Sequence, residues 1–227
     1  MKQKKVLLFA SAGGAVSGAL AVRFGGDIPV RFPAFTLDRA LLAHHRYLLP
    51  AIPWILFSMY WEFSAKGAAA AKSSESKVSR GIHVFLANVA VLLEIAPIRG
   101  LGRFLPLTFL SLAAGLGVEC LGLSVAIWAR RALGSNWSGE ISIKVEHQLI
   151  RSGPYRRLRH PIYTGLLAMY VGTAVVTGTW LAIVGVALAG FAYWRKIRLE
   201  EKNLDLAFGA EYETYRRETW ALVPGVF

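Results

Sequence analysis

Six stretches of this chain are apolar and long enough to cross a lipid bilayer, and their succession limits the fold more than any other feature. A hydrocarbon core about 30 Å thick takes roughly 20 helical residues, because lipid cannot satisfy exposed backbone amides and carbonyls. The runs cover 6–22, 48–64, 81–97, 104–129, 162–179 and 180–194. The first has Ser11-Ala12-Gly13-Gly14-Ala15 at its centre and Met1-Lys2-Gln3-Lys4-Lys5 ahead of it, a form that also suits a signal peptide. The five later runs favour a retained helix. The expected fold is all-α: a polytopic membrane helix bundle of about six transmembrane helices.

The net charge of +12 follows the topology. With six spans, the segments 1–5, 65–80, 130–161 and 195–227 lie on one side and hold 20 Lys and Arg, against 6 in 23–47 and 98–103. Such a bias marks the cytoplasmic side, so both termini are expected there, in a multi-pass integral membrane protein. Anionic lipid headgroups account for the basic excess. No basic stripe interleaved with aromatics points to nucleic acid. The one cysteine, Cys120, lies within a span, and no Cys/His cluster has metal-ligand spacing, so no metal is expected. Residues 65–80 read as a flexible loop, His44-His45-Arg46 as an interfacial stop, and Trp137 as an interface anchor beside Asn136.

The chemistry concentrates near the C-terminus. His147 to Tyr163, HQLIRSGPYRRLRHPIY, packs a Gly-Pro turn, four arginines, two histidines and two tyrosines between apolar runs. The last two spans are joined by Gly178-Thr179-Trp180, which leaves no room for a loop and implies a C-terminal helical hairpin. Two antiparallel helices of equal length return the chain to its starting height, so Tyr163 should meet Lys196 and Glu200 at the cytoplasmic face. His160-Pro161 opens a helix whose free amides favour a carboxylate or phosphate. Tyr155 and Tyr163 offer ring faces to a cation or an adenine, and Glu200 can take ribose hydroxyls or an ammonium. That combination fits S-adenosylmethionine, which carries an adenine, an amino acid and a sulfonium.

Two spaced patterns sharpen the reading. Leu149-Ile150-x-x-Gly153-Pro154-Tyr155-Arg156-x-x-Arg159-His160-Pro161-x-Tyr163-x-Gly165 resembles the isoprenylcysteine carboxyl methyltransferase family. So does Glu200-Glu201-x-x-Leu204-x-x-x-Phe208-Gly209-x-x-Tyr212-x-x-Tyr215, ending near Pro224. The resemblance covers roughly residues 133–224 and is closer in form to bacterial members. It implies methyl transfer from S-adenosylmethionine at the cytoplasmic face. It also implies cofactor contacts at His147, Gln148, Leu149, Ile150, Tyr155, His160, Pro161, Ile162, Tyr163 and Glu200, with Glu140 where eukaryotic members place a glutamine. Lys196 takes the place of a substrate-binding arginine, which keeps the charge and loses the bidentate fork. Residues 1–130 would then form the lipid- and substrate-facing part, and 131–227 the methyltransferase core.

Methyl transfer to an ionised carboxylate needs alignment and dehydration rather than a general base. Lys196 and Arg159 are the candidates to orient that carboxylate. A thiol or amine acceptor needs a base, for which Glu201, Glu119 and His160 are candidates. Glu119 lies deep enough to line a substrate cavity and reads as substrate-binding. Glu94 sits near the outer boundary, and a structural partner is the alternative for both. The acceptor should be a hydrophobic small molecule or lipidated substrate among membrane lipids. Competing readings are an amine or thiol methyltransferase, a nicotinamide-dependent membrane reductase without a separate GxGxxG fold, and a transporter.

Overall fold

The computed structural model describes residues 21–22, 30–31, 48–65, 72–73, 76–95, 102–134, 137, 142–143 and 149–225. The chain divides into two compact units, Met1–Arg46 and Tyr47–Phe227. In the first, β1 (Ala21–Val22) pairs antiparallel with β2 (Val30–Arg31). Apart from those strands, the expected span over 6–22 and the stop at His44-His45-Arg46 lie outside the described residues.

The second unit holds α1 (Ala51–Ala65), α2 (Lys77–Ile95), α3 (Phe109–Leu133), α4 (Pro161–Thr177), α5 (Trp180–Phe208) and α6 (Ala210–Glu218). A 3-10 turn, Gly153–Arg156, precedes α4. One small ladder pairs β3 (Lys72–Ser73) with β4 (Ser142–Ile143). The stretch 65–80, expected as loop throughout, therefore contains β3 and the first turn of α2.

Among the described residues, α2, α3 and α5 are long and apolar enough to cross a membrane. α4 has 17 residues and α1 has 15. Large apolar side chains point outward on these helices, among them Phe85, Leu110 and Leu121. Water would penalise that surface; lipid does not. The described part of the second unit is in the main a bundle of membrane-type helices.

Local signals set the helix ends. α3 starts at Phe109 rather than at 104 because Thr108 caps it: its Oγ1 accepts from Ser111 N at 3.1 Å, and Thr108 N donates to Ser111 Oγ at 3.0 Å. This reciprocal pair satisfies two end amides. Gly178, at φ +63°, closes α4, and its carbonyl accepts from Phe104 N. A Cβ there would meet Leu105 O at 2.9 Å, so only glycine suits the turn. Past Trp194, α5 meets no glycine or proline until Gly209, and it runs 29 residues, not the 15 expected to end at 194. The helices flanking Gly178-Thr179 are thus unequal, and the polar end of α5 projects beyond its apolar part.

α3 and α4 approach through glycines spaced two turns apart. A Cβ on Gly122 would stand 2.4 Å from Gly165 O, and one on Gly115 would stand 2.7 Å from Gly172 O. Gly115 meets Gly172 and Gly122 meets Gly165, so the helices run antiparallel with backbones nearly touching. Small residues let apolar helices pack this closely where water supplies no driving force. Trp137, expected at the membrane interface, is buried against Trp61 and lies under the Arg130 guanidinium at 4.2 Å. Arg130 also donates to Ser64 O at 2.6 Å, tying α1 to the end of α3.

Candidate active site

The start of α4 and the polar end of α5 meet as the tight turn requires. The Tyr163 hydroxyl donates to Glu200 Oε1. His160 Nδ1 lies 3.5 Å from Glu200 Oε2, and its Nε2 lies 3.4 Å from Glu201 Oε1. The His160 ring stacks nearly parallel on Tyr163 with centroids 5.8 Å apart. Four residues from two distant segments therefore share one polar knot.

Pro161 gives this arrangement its direction. It starts α4 without an amide to satisfy, and helix geometry leaves the Ile162 and Tyr163 amides without intrahelical acceptors. The two preceding amides are used: Arg159 N donates to Trp220 O at 2.8 Å and His160 N to Ala221 O at 3.0 Å. Trp220 N in turn donates to Arg157 O at 3.0 Å, and Thr164 Oγ1 to Leu222 O at 2.7 Å. Residues 219–222 thus lie along 157–164 as a strap.

Arg159 is held at three points. Its Nε donates to Glu201 Oε1 at 2.8 Å, and its Nη1 donates to the carbonyls of Arg216 and Thr219. Tyr215, on α6, donates to Tyr155 O at 2.7 Å and packs under Arg151. Burial alone would depress the His160 imidazole, but the hydrogen bonds and charges of Glu200 and Glu201 outweigh it and raise its pKa. Burial likewise lifts the Tyr155 phenol well above its ordinary value and keeps it protonated.

The other expected site residues separate into groups. Leu149 and Ile150 are half-buried and lead into the Gly153–Arg156 turn. Pro161 and Ile162 are buried, and Tyr155 packs in the core with Ile162 and Tyr193. Lys196 is buried one turn before Glu200 on α5. Glu140, His147 and Gln148 lie outside the described residues. Glu119 belongs to a different level: its Oε1 accepts from Thr173, ten residues along α4 from Tyr163 and so roughly 15 Å deeper. Trp54 Nε1 donates to the same Thr173 hydroxyl at 3.0 Å. Glu94 is buried, and neither of its carboxylate oxygens has a partner among the described residues.

Two contributors had no place among the expected site residues. Tyr193 packs at a tilt against Tyr163, with centroids 5.1 Å apart, and reaches Tyr170 and His83, linking the polar knot to the bundle interior. Its spacing of three from Lys196 was the available signal. The strap acts through backbone carbonyls, which leave no mark on residue type.

The donor set fits S-adenosylmethionine on this geometry. Glu200 is a partly exposed carboxylate for hydroxyls or an ammonium, the α4 amides suit a carboxylate, and the Tyr163 ring beside them is flanked by His160 and Tyr193.

Comparison with known proteins agrees with the motif reading. Residues 110–211 match the phospholipid methyltransferase family. A protein-S-isoprenylcysteine O-methyltransferase of Dictyostelium discoideum is 29% identical over 116 residues, 49% of this chain and 49% of that protein. A probable protein-S-isoprenylcysteine O-methyltransferase of Oryza sativa subsp. japonica is 34% identical over 113 residues, 48% of this chain and 59% of that protein. A solved structure of the eukaryotic intramembrane Ras methyltransferase, isoprenylcysteine carboxyl methyltransferase, has a TM-score of 0.49 at 20% identity, covering 67% of this chain and 54% of that one. The chain spans about half the length of the first two relatives, and all three are eukaryotic proteins. Over the helices that carry the candidate site, this chain resembles the isoprenylcysteine carboxyl methyltransferases and matches the phospholipid methyltransferase family.

Proposed function

We propose that the protein is an integral-membrane S-adenosylmethionine-dependent methyltransferase acting on a carboxylate of a hydrophobic or lipidated substrate. The observation that carries this reading is the convergence of Tyr163 and His160 on Glu200 at the mouth of α4. The O-methyltransferase activity for which the relatives are named supports the same class of reaction. The charge bias supports a site on the cytoplasmic side of the membrane, with residues 1–5 and 195–227 on that side and six spans between.

S-adenosylmethionine, when bound, supplies a sulfonium methyl whose carbon–sulfur bond breaks as a carbon–oxygen bond forms. The chain's part is placement. Glu200 would hold the donor's hydroxyls or ammonium, and the Ile162 and Tyr163 amides its carboxylate. Together with Glu140, His147, Gln148, Leu149 and Ile150, they would enclose the donor. Lys196, one turn deeper on α5, would orient the acceptor carboxylate as a point charge. An ionised carboxylate already carries the attacking lone pair, so alignment and exclusion of water are what remain to be supplied.

Calorimetric binding of S-adenosylmethionine to the detergent-purified protein tests the donor half, with His160→Ala and Glu200→Ala beside it. Micromolar binding lost in both variants is expected. A folded protein that binds no donor ends the proposal and turns attention to nicotinamide cofactors.

A further inference from the structure

Arg159 and Glu201 were natural candidates for contact with substrate, yet three protein acceptors engage the Arg159 guanidinium, and Glu201 Oε1 is shared between Arg159 and His160. We infer that they are positioning residues: anchored on the Arg216 and Thr219 carbonyls, they brace His160 against Glu200, so that the C-terminal strap sets donor affinity. This rests on the proposed methyl-donor site.

The bracing has two routes. The first runs through side chains: the Arg216 and Thr219 carbonyls hold Arg159, whose Nε holds Glu201 Oε1 at 2.8 Å. That same oxygen lies 3.4 Å from His160 Nε2. The second route runs through strap carbonyls: Ala221 O accepts from His160 N, and Leu222 O accepts from Thr164 Oγ1. His160 is thus gripped at its ring and at its main chain by elements that themselves end on one strap. Both Arg159 and Glu201 side chains are largely buried, at 10% and 13% exposure, which leaves little of either to meet a ligand.

Several groups determine the charge on His160. Glu200 and Glu201 face it from α5, with Lys196 one turn away. Tyr163 stacks on it from α4. Tyr212 and Tyr215 of α6 lie near Arg159, which is paired with Glu201. Removing the Glu201 charge leaves one carboxylate to oppose burial, so the imidazole should titrate at lower pH.

The test uses the full chain in detergent with Glu201→Gln and Arg159→Lys. S-adenosylhomocysteine is the calorimetric probe, and nitrogen NMR follows the imidazole, assigned by its disappearance in His160→Gln. Glu201→Gln should weaken the probe roughly tenfold, because a neutral amide accepts from Arg159 and His160 more weakly than the carboxylate and no longer holds them by charge. It should also move the His160 titration to lower pH, while turnover at saturating donor and acceptor stays within about threefold of wild type. Arg159→Lys keeps the charge but not the fork. It should weaken the probe less, and it carries the test should Glu201→Gln fail to fold. Unchanged affinity and titration overturn the inference. Intact affinity with turnover lost also overturns it, because Glu201 would then touch the reacting atoms. A wild type that ignores the probe defeats the methyl-donor reading instead, and the titration still decides the brace.

Discussion

Replacing Gly165 with alanine drives a methyl group into the backbone of α3. The new Cβ would stand 2.5 Å from Gly122 O, 2.8 Å from Ala126 N and 3.0 Å from Ala126 Cβ. Ordinary contact begins at 3.4 Å, so the helices must part by about 0.9 Å. No flexible side chain can absorb this, because the nearest atoms are backbone. Overpacking of this kind costs about 1–3 kcal/mol, and for a chain of this size each kcal/mol moves Tm by about 2–4 °C. A fall of about 2–12 °C is expected against Gly117→Ala, which lies on α3 with open space around it. Thermal scans by tryptophan fluorescence, in one detergent and at one scan rate, provide the assay. Because Gly165 follows Tyr163 by two residues, donor affinity should fall as well. A Gly165→Ala melting point within 1 °C of the Gly117→Ala control would refute the close-packed crossing.

Other consequences are equally direct. Glu94→Gln should leave Tm unchanged or raise it, since the described structure gives its carboxylate no partner; a fall of several degrees in the thermal scan would reveal one. Lys196→Ala should raise the acceptor KM while the calorimetric donor Kd holds, and Lys196→Arg should keep most activity. His160 has a raised imidazole pKa in the fold. Its stabilising contribution is therefore full below the unfolded value and is lost as pH rises through the folded value. Melting points taken across that window should fall with rising pH in wild type and lose this component in His160→Gln.

The meeting of Tyr163 with Glu200 was more legible in the sequence than the packing of the bundle. Tyr163 and Glu200 were expected to meet because two residues between apolar helices force a reversal, and a reversal fixes which residues share a height. The same reasoning misjudged the length of α5, because apolarity marks the bilayer and not the end of the helix. Lys196 to Asn203 contains good helix formers, so hydrogen bonding continued past the lipid. Arg159 was legible as a motif residue but not as an anchored one, since its partners are carbonyls of residues 216 and 219. The glycines of the α3–α4 crossing were present as a seven-residue spacing in each helix. Spacing alone could not reveal that the two pairs face each other.

Transfer of a radiolabelled methyl group tests the central claim most directly. Purified protein in lipid vesicles would be given S-adenosylmethionine and an acceptor with a free carboxylate on an apolar tail, beside matched amine and thiol acceptors. The account predicts base-labile label in the carboxylate acceptor, abolished in Glu200→Ala and in His160→Ala. Label confined to the amine or thiol would contradict the carboxylate assignment. No label in any acceptor, from protein that binds the donor, would contradict the enzymatic reading itself.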